Sequence, residues 1–181
     1  MSDVDKGPVL LTLARNAIAQ QLGAPTRPLD EPDWLSEPGA CFVTLTRQGK
    51  LRGCIGSLTA RRPLGRDVVH NACDAAFRDS RFPPLDLAEL SGTRVEVSLL
   101  SPLEAMRFGD EADAMARLRP GIDGVVLECG GHRGTFLPQV WDQLPQPGQF
   151  LSELKRKAGL AGTFWSPAIK LQRYTVEKWK E

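Results

Sequence analysis

The sequence predicts an α+β fold: a mainly antiparallel sheet flanked by helices, with a second, smaller lobe. Short β-prone runs occur in neighbouring pairs around glycine-containing turns, and they do not alternate singly with helices as in a parallel doubly wound fold. The run Thr93–Leu100 alternates Val95, Val97 and Leu99 with polar side chains, which is typical of a half-buried strand. These two observations together favour antiparallel pairing.

Two helices and a hairpin are predicted in the first half of the chain. Apolar residues at helical spacing follow a proline at the favoured first helical position. Two β-prone runs flank Gln48-Gly49, a hairpin signal. The predicted elements are a helix from Pro8 to about Leu22, an extended connector over Pro25–Pro38, strands at Cys41–Arg47 and Leu51–Ser57, and a helix over Pro63–Phe77.

The second half of the chain is predicted to begin with a charged loop and to contain further strands and helices. That loop ends the second helix before its prolines, because a residue that precedes proline avoids helical geometry. Trp141 is interpreted as a core residue. The predicted elements are a loop over Arg78–Pro84, a strand at Thr93–Leu100, a short helix over Asp110–Leu118, a hairpin of Gly124–Cys129 and Thr135–Leu137 with Gly130–Gly134 as its turn, a helix marked by Phe150 to Ala158, and a final strand within Ile169–Trp179.

Length and charge limit the classes of function. A chain of 181 residues suits a single compact domain, and its formal charge of +1 provides no overall field for nucleic acid or an anionic membrane. The local basic runs Arg61-Arg62 and Lys155–Lys157 are interpreted as solvated surface. The N-terminus is acidic and the chain has no long apolar run, which predicts a cytoplasmic protein. The four cysteines are scattered without a Cys-x-x-Cys pair, which predicts reduced thiols.

The run Leu51–Gly56 is the strongest candidate for a site. Side chains two residues apart on a strand share a face, so Leu51, Gly53 and Ile55 are expected to face the core. Arg52 and Cys54 are then expected to share the other face and to line a pocket. Gly53 and Gly56 permit close backbone approach or a bulge, and they could form a ligand-contacting edge.

Three interpretations of Arg52 and Cys54 stay open at this point. A guanidinium beside a thiol favours the thiolate and lowers the pKa of the cysteine, so Arg52 could activate Cys54 as a nucleophile. Arg52 could instead bind a carboxylate or phosphate through its planar fork. In the third interpretation, Cys54 is only a small packed residue between two glycines.

Other polar residues are weaker candidates. His132, predicted in a turn, could serve as a general base for Cys54, although exposed turn histidines commonly have no such role. His70 lies near Asp67 and Asp74 without a recognised metal-ligand spacing, so no metal is predicted. No glycine turn opens directly into a helix, and no nucleotide cofactor is expected. Asp79 and Arg81 form either a local ion pair or part of the pocket.

Taken together, these segments resemble the AMMECR domain family, called AmmeMemoRadiSam system protein A in prokaryotes. The resemblance follows the chain in order over nearly its whole length. It rests on Gly39–Leu45, Gly49–Ser57, Asn71-Ala72 with Ala75–Phe77, Asp79–Leu85, Val95–Ser101, Pro120–Val126, Gly134–Trp141, and Phe150-Leu151 with Lys157–Leu160.

The resemblance implies one AMMECR-like domain over residues 1–181, with two unequal lobes and a cavity between them near the Leu51–Gly56 run. It also implies genomic association, in many prokaryotes, with a Memo-type protein and a radical SAM protein, but it supplies no established reaction. Carried over by motif, Cys54 and Arg52 are the candidate catalytic residues. The candidate ligand-binding residues are Gly53, Gly56, Asn71, Asp79 and Arg81. His132 is not part of the family pattern.

The leading hypothesis is a cytoplasmic pocket protein that binds or acts on a small polar or anionic molecule through Arg52 and Cys54. Whether it is an enzyme stays open, and no cofactor is predicted. The alternative is a non-catalytic adaptor, in which an exposed surface docks a protein partner and the Leu51–Gly56 run is only packed sheet.

Overall fold

The computed structural model describes residues 5–181 and confirms the α+β class, with helices and antiparallel sheets. By its internal contacts the chain divides into two compact units. Unit 1 comprises the chain up to Leu100 together with Glu177–Glu181, and unit 2 comprises Ser101–Val176. Over residues 5–181, no helix is both long and apolar enough to cross a membrane.

The helices and strands have the following bounds. The helices are α1 (Gly7–Gln21), α2 (Leu64–Phe77), α3 (Leu87–Leu90), α4 (Glu111–Arg117) and α5 (Pro147–Lys157). The strands are β1 (Pro38–Arg47), β2 (Lys50–Gly56), β3 (Arg62–Pro63), β4 (Thr93–Leu100), β5 (Glu104–Ala105), β6 (Gly124–Cys129), β7 (His132–Phe136), β8 (Lys170–Tyr174) and β9 (Val176–Lys180).

Unit 1 packs helices α1 and α2 against a sheet of order β2-β1-β4-β9, with β3 paired to β1. The apolar stripe of α1 and the inward-facing residues of β1 form one core, which includes Leu10, Ile18, Val43 and Leu45. Strand β2 therefore lies at an edge of this sheet. Both helices and the hairpin agree with the sequence prediction to within a few residues.

The hairpin turn explains why β1 and β2 pair. Gln48 and Gly49 have φ values of 52° and 74°, and positive φ at both central residues is the backbone of a type I′ turn. That turn matches the right-handed twist of the strands. It brings β2 beside β1 in antiparallel register, with Cys54 opposite Thr44.

Unit 2 is built on a sheet of order β5-β8-β6-β7, against which α5 packs. Trp141 is buried in its core and stacks on Phe150 with a centroid separation of 3.8 Å, while its Nε1 donates to the Asp123 carbonyl at 2.7 Å. The prediction that Trp141 belongs to the core is confirmed.

Three local predictions in the second half are wrong. The turn of the second hairpin is only Gly130-Gly131, so His132 belongs to β7 and not to the turn. The final segment contains two strands, β8 and β9, that belong to different sheets. Lys155 is not solvated but fully buried.

The burial of Lys155 has a local cause. Its ammonium group forms an ion pair with Glu111 and lies 5.5 Å from the centre of the Trp165 ring. It also donates to the Gly162 carbonyl at 3.4 Å. A buried lysine is tolerated only with such partners, and the partners come from elements distant in sequence.

Candidate functional site

A β-bulge lies at the centre of the candidate site. Leu45 pairs with Gly53 and Thr46 pairs with Leu51, which leaves Arg52 as an extra residue without a partner on β1. A bulge resets the alternation of a strand. The expectation that Leu51 faces the core is therefore wrong: Leu51 is 44% exposed, while Arg52 is only 8% exposed.

Gly53 and Gly56 both lie where a side chain does not fit. A Cβ at Gly53 would lie 2.1 Å from the carbonyl oxygen of Ala75 in α2, and a Cβ at Gly56 would lie 2.2 Å from the Phe42 ring. Close packing of β2 on its neighbours thus requires both glycines. A ligand contact by their backbone stays a prediction.

Arg52 is held by α3 and by the loop that precedes α3. Its Nε and Nη2 donate to the two carboxylate oxygens of Glu89, each at 3.1 Å, and Nη2 also donates to the Pro83 carbonyl at 2.8 Å. The hydrogen bond from Arg52 is the main cause that lowers the pKa of Glu89. Nη1 of Arg52 is buried and has no hydrogen-bond partner among residues 5–181.

Cys54 lies on the edge strand β2 and is held through its backbone. Its N–H donates to Oδ2 of Asp79 at 3.0 Å, and its carbonyl accepts from Nη2 of Arg81 at 3.4 Å. These side chains satisfy edge-strand groups that would otherwise lack a partner. Cys54 is partly exposed as a residue, and its thiol is 3.3 Å from the hydroxyl oxygen of Thr44 on β1.

Asp79 and Arg81 form the local ion pair that the sequence allowed for. Nη2 of Arg81 donates to Oδ2 of Asp79 at 2.7 Å, and Nε donates to Oδ1 at 3.0 Å. The Arg81 hydrogen bond is the largest cause that holds the pKa of Asp79 far below its usual range, with help from the amides of Cys54 and Arg81. The Arg81 side chain is 54% exposed, so the pair brings an accessible cation to Cys54.

The structure joins Arg52 and Arg81 through Phe82. The guanidinium carbons of the two arginines lie 5.8 Å and 5.5 Å from the centre of the Phe82 ring, within cation–π range. In the described part of the chain, no hydrogen bond joins the Arg52 guanidinium to the Cys54 thiol. The arginine that contacts Cys54 directly is therefore Arg81.

Asn71 belongs to a second cluster, centred on the buried Asp67. Its amide nitrogen donates to the Cys41 carbonyl, to the Ser57 hydroxyl and to Asp67, at 3.0 to 3.1 Å. Asp67 also accepts from the Ser57 hydroxyl at 2.7 Å and from the Cys41 N–H at 3.0 Å. Burial, followed by the Asp67 charge, raises the pKa of the Cys41 thiol. The structure thus brings Asn71 to Cys41 and not to Cys54.

Sequence reasoning missed Asp67 as a buried residue, although a signal was present. Asp67 and Asn71 are four residues apart and adjoin the apolar positions Leu64, Val68 and Ala72 on the same helix. Polar residues at that spacing beside an apolar stripe face inward, where they need partners.

The two histidines have local partners. Nδ1 of His132 lies 3.0 Å from the Ala158 carbonyl within unit 2, and Nε2 of His70 lies 3.1 Å from Oδ2 of Asp74 on α2. A carbonyl only accepts, so His132 carries a proton on Nδ1. Over residues 5–181, no group of three or more His, Cys, Asp or Glu side chains is arranged to hold a metal ion.

Comparison with known proteins identifies the family. The AMMECR1 family model matches residues 11–179, and the chain belongs to that family. A relative from Methanothermobacter thermautotrophicus is 37% identical over 186 residues, which cover 98% of this chain and 95% of the relative. Protein MJ0810 from Methanocaldococcus jannaschii is 32% identical over 98% of this chain and 91% of its own length.

A solved structure supports the same assignment. The crystal structure of the uncharacterized protein PH0010 from Pyrococcus horikoshii is similar to this chain with a TM-score of 0.85 and 36% identity. The similarity covers 97% of this chain and 91% of that one. The resemblance stated from the sequence motifs is therefore confirmed, and so is the fold class.

Proposed function

We propose that the protein binds a small polar or anionic molecule at the Arg52–Cys54 segment, where the thiol of Cys54 and the guanidinium of Arg81 contact the ligand. One observation carries this proposal. The backbone of Cys54 is clamped between Asp79 and Arg81, while the residue is partly exposed and its thiol has the Thr44 hydroxyl as its hydrogen-bond partner.

Free donors at the site support an anionic ligand. Arg81 uses Nε and Nη2 for Asp79 and Cys54, and its Nη1 makes no hydrogen bond within residues 5–181. Nη1 of Arg52 is also unpaired, and it is buried. A buried donor without a partner costs free energy, and a ligand oxygen would recover it. Arg52 and Arg81 both contact Phe82, so one anion could engage both arginines.

The proposed function is ligand binding. A covalent reaction at Cys54 is a separate and more specific prediction. In that prediction Cys54 is the nucleophile and Arg52 its activator. Alkylation by iodoacetamide, followed by peptide mass spectrometry across pH, tests whether the thiol is presented. Cys54 is expected to react faster than Cys41 and Cys73, because burial raises the pKa of both of those thiols.

One outcome of the alkylation experiment contradicts the binding proposal, and another contradicts only the nucleophile prediction. If Cys54 reacts no faster than the buried Cys41, its thiol is not accessible to a ligand. If Cys54 is accessible but its apparent pKa is about 8.5, the ordinary value for cysteine, then no neighbouring cation activates it. The second outcome removes the nucleophile prediction and leaves binding intact.

We also propose, from the family resemblance, a Memo-type protein and a radical SAM protein as partners and the cytoplasm as the location.

The adaptor hypothesis differs from the pocket hypothesis in which residues the partners bind. It predicts that Cys54→Ser leaves co-purification with the purified partners intact and that Leu87→Ser, at a 57% exposed apolar residue, abolishes it. A loss of partner binding confined to Cys54→Ser contradicts the adaptor hypothesis.

A further inference from the structure

A pocket rich in arginine lies in unit 2, where the edge strand β5 pairs with β8. Its volume is about 380 Å³, within the range of small-molecule sites. The lining consists of Glu104, Ala105, Met106, Arg107, Arg117 and Arg173. Three arginines and one glutamate thus line the same pocket, in a protein whose formal charge is only +1.

The Arg173 guanidinium is held loosely by the protein itself. Its Nη2 lies 3.3 Å from Glu104, and its Nη1 lies 3.4 Å from the Arg117 carbonyl. Both distances exceed the usual range for N–H···O hydrogen bonds. Its Nε is buried and has no hydrogen-bond partner among residues 5–181.

The other charges of the pocket leave an excess of positive charge. Glu104 pairs with Arg173 but is 67% exposed, so that pair is screened by water. Arg117 pairs with Asp113 at 3.0 Å, also in an exposed position. Arg107 is exposed and forms no ion pair within the described part of the chain. No carboxylate therefore neutralises Arg107.

We propose that this pocket binds the phosphoryl group of a small ligand. A carboxylate has one negative charge and two oxygens in one plane, which a single guanidinium fork can engage together. A phosphoryl group has three acceptor oxygens and a charge of about −1.5 to −2, which suits guanidiniums that approach from three separate elements. Ala105 and Met106 supply the apolar part of the lining for the remainder of such a ligand.

Isothermal titration calorimetry on the full chain in about 0.15 M salt tests this proposal. The probes are inorganic phosphate, inorganic pyrophosphate and glycerol 3-phosphate, with malonate as a dicarboxylate of similar charge. Saturable binding of at least one phosphate probe is expected, tighter than that of malonate. Tighter binding of glycerol 3-phosphate than of inorganic phosphate would identify a phosphate ester as the ligand, and the reverse order would identify the free anion.

Matched variants locate the binding. Arg107→Gln changes an exposed residue and should therefore preserve the fold. It is expected to weaken phosphate binding roughly tenfold, which is the effect of one lost charge-assisted hydrogen bond. Arg173→Gln should have a similar effect. Arg133→Gln is the control, because Arg133 pairs with Glu128 at 2.9 Å and does not line the pocket.

Several results would overturn the proposal. They are no saturable phosphate binding, malonate binding as tight as phosphate binding, or equal affinities in Arg107→Gln and Arg133→Gln. This test is independent of the site at Cys54. The iodoacetamide reactivity of Cys54 is expected to be unchanged in all three variants, so failure of one proposal does not imply failure of the other.

Discussion

Replacing Asp79 with asparagine is expected to destabilise unit 1 by removing the clamp on the edge strand. The wild-type carboxylate accepts hydrogen bonds from the Cys54 amide, the Arg81 amide, and Nε and Nη2 of Arg81. An asparagine keeps one acceptor oxygen and presents an NH₂ group in place of the other. Where Oδ2 was, a donor then faces the donors of Cys54 and Arg81.

The size of the effect follows from burial. A hydrogen bond to a charged group contributes about 1.5–3 kcal/mol, and a buried donor left unpaired costs about as much. Arg81 is more than half exposed and can turn to water, so its own loss is small. The partly buried Cys54 amide dominates, and the free energy of unfolding should fall by about 1–3 kcal/mol. For a chain of this size, the Tm should fall by roughly 2–12 °C.

The effect should depend on pH in a defined direction. The pKa of Asp79 is lower in the folded state than in the unfolded chain, where it is near 3.9. A carboxyl group of this kind stabilises the fold fully above the unfolded pKa, and the stabilisation is lost as the pH falls toward the folded pKa. The difference in stability between wild type and Asp79→Asn should therefore be full at pH 7 and shrink below about pH 4.

Urea unfolding at pH 7 and at lower pH measures this difference, and hydrogen exchange at the Cys54 amide reports on the clamp itself. Glu153→Gln is the control, because the Glu153–Arg156 ion pair is exposed and its loss should cost less than about 1 kcal/mol. If Asp79→Asn unfolds like Glu153→Gln and the Cys54 amide stays protected, the assignment of Asp79 as the clamp is refuted.

Two further substitutions test the packing described above. Gly53→Ala should lower the free energy of unfolding by more than about 3 kcal/mol, because the new Cβ meets the Ala75 carbonyl of α2. Gly131→Ala is the control: the space around Gly131 is open, and the loss should be less than about 1 kcal/mol. Equal denaturant midpoints for the two variants would contradict this reasoning. Lys155→Ala should lower the free energy of unfolding by about 2–4 kcal/mol, because it leaves a cavity. Arg156 is exposed, so Arg156→Ala should lower it by less than about 1 kcal/mol. Equal effects of the two substitutions on thermal unfolding would mean that Lys155 is solvated.

The sequence predicted those parts of the fold that local patterns control. The helix over Gly7–Gln21 has a regular apolar stripe and a proline in its first turn, and the hairpin has Gln48-Gly49 at the turn. Lys155 and the last two strands depend instead on distant partners. Lys155 looks like a basic helix end in sequence, and only contact with Glu111 and Trp165 accounts for its burial.

The same distinction applies to the candidate site. The Leu51–Gly56 run and the Asp79–Arg81 pair could be selected from residue type and motif. The glycines indicated that a bulge could occur here, but the sequence did not show that Arg52 is the extra residue, because that depends on how β2 pairs with β1. That bulge directs Arg52 to Glu89 and leaves Arg81 as the cation beside Cys54. The activation of the Cys54 thiol by Arg52 stays a prediction, because Arg81 contacts the backbone carbonyl of Cys54 and not its thiol.

The most direct test of anion binding at Cys54 compares alkylation by iodoacetate and by iodoacetamide. The two reagents have the same leaving group, and they differ in that iodoacetate carries a negative charge. Each rate is first divided by the rate with N-acetylcysteine. The ratio of iodoacetate to iodoacetamide at Cys54 should then exceed the ratio at Cys129 by up to about fivefold. That factor corresponds to an attraction of about 1 kcal/mol by one unit charge about 4 Å away in water, and the paired carboxylate of Asp79 reduces it.

Arg81→Gln should lower this ratio to the level of Cys129. Arg78→Gln, which changes another exposed arginine at the start of the same loop, should leave it unchanged. Equal ratios at Cys54 and Cys129 in the wild-type protein, or a Cys54 ratio that survives Arg81→Gln, would contradict the proposal that Arg81 and Cys54 form an anion-binding site.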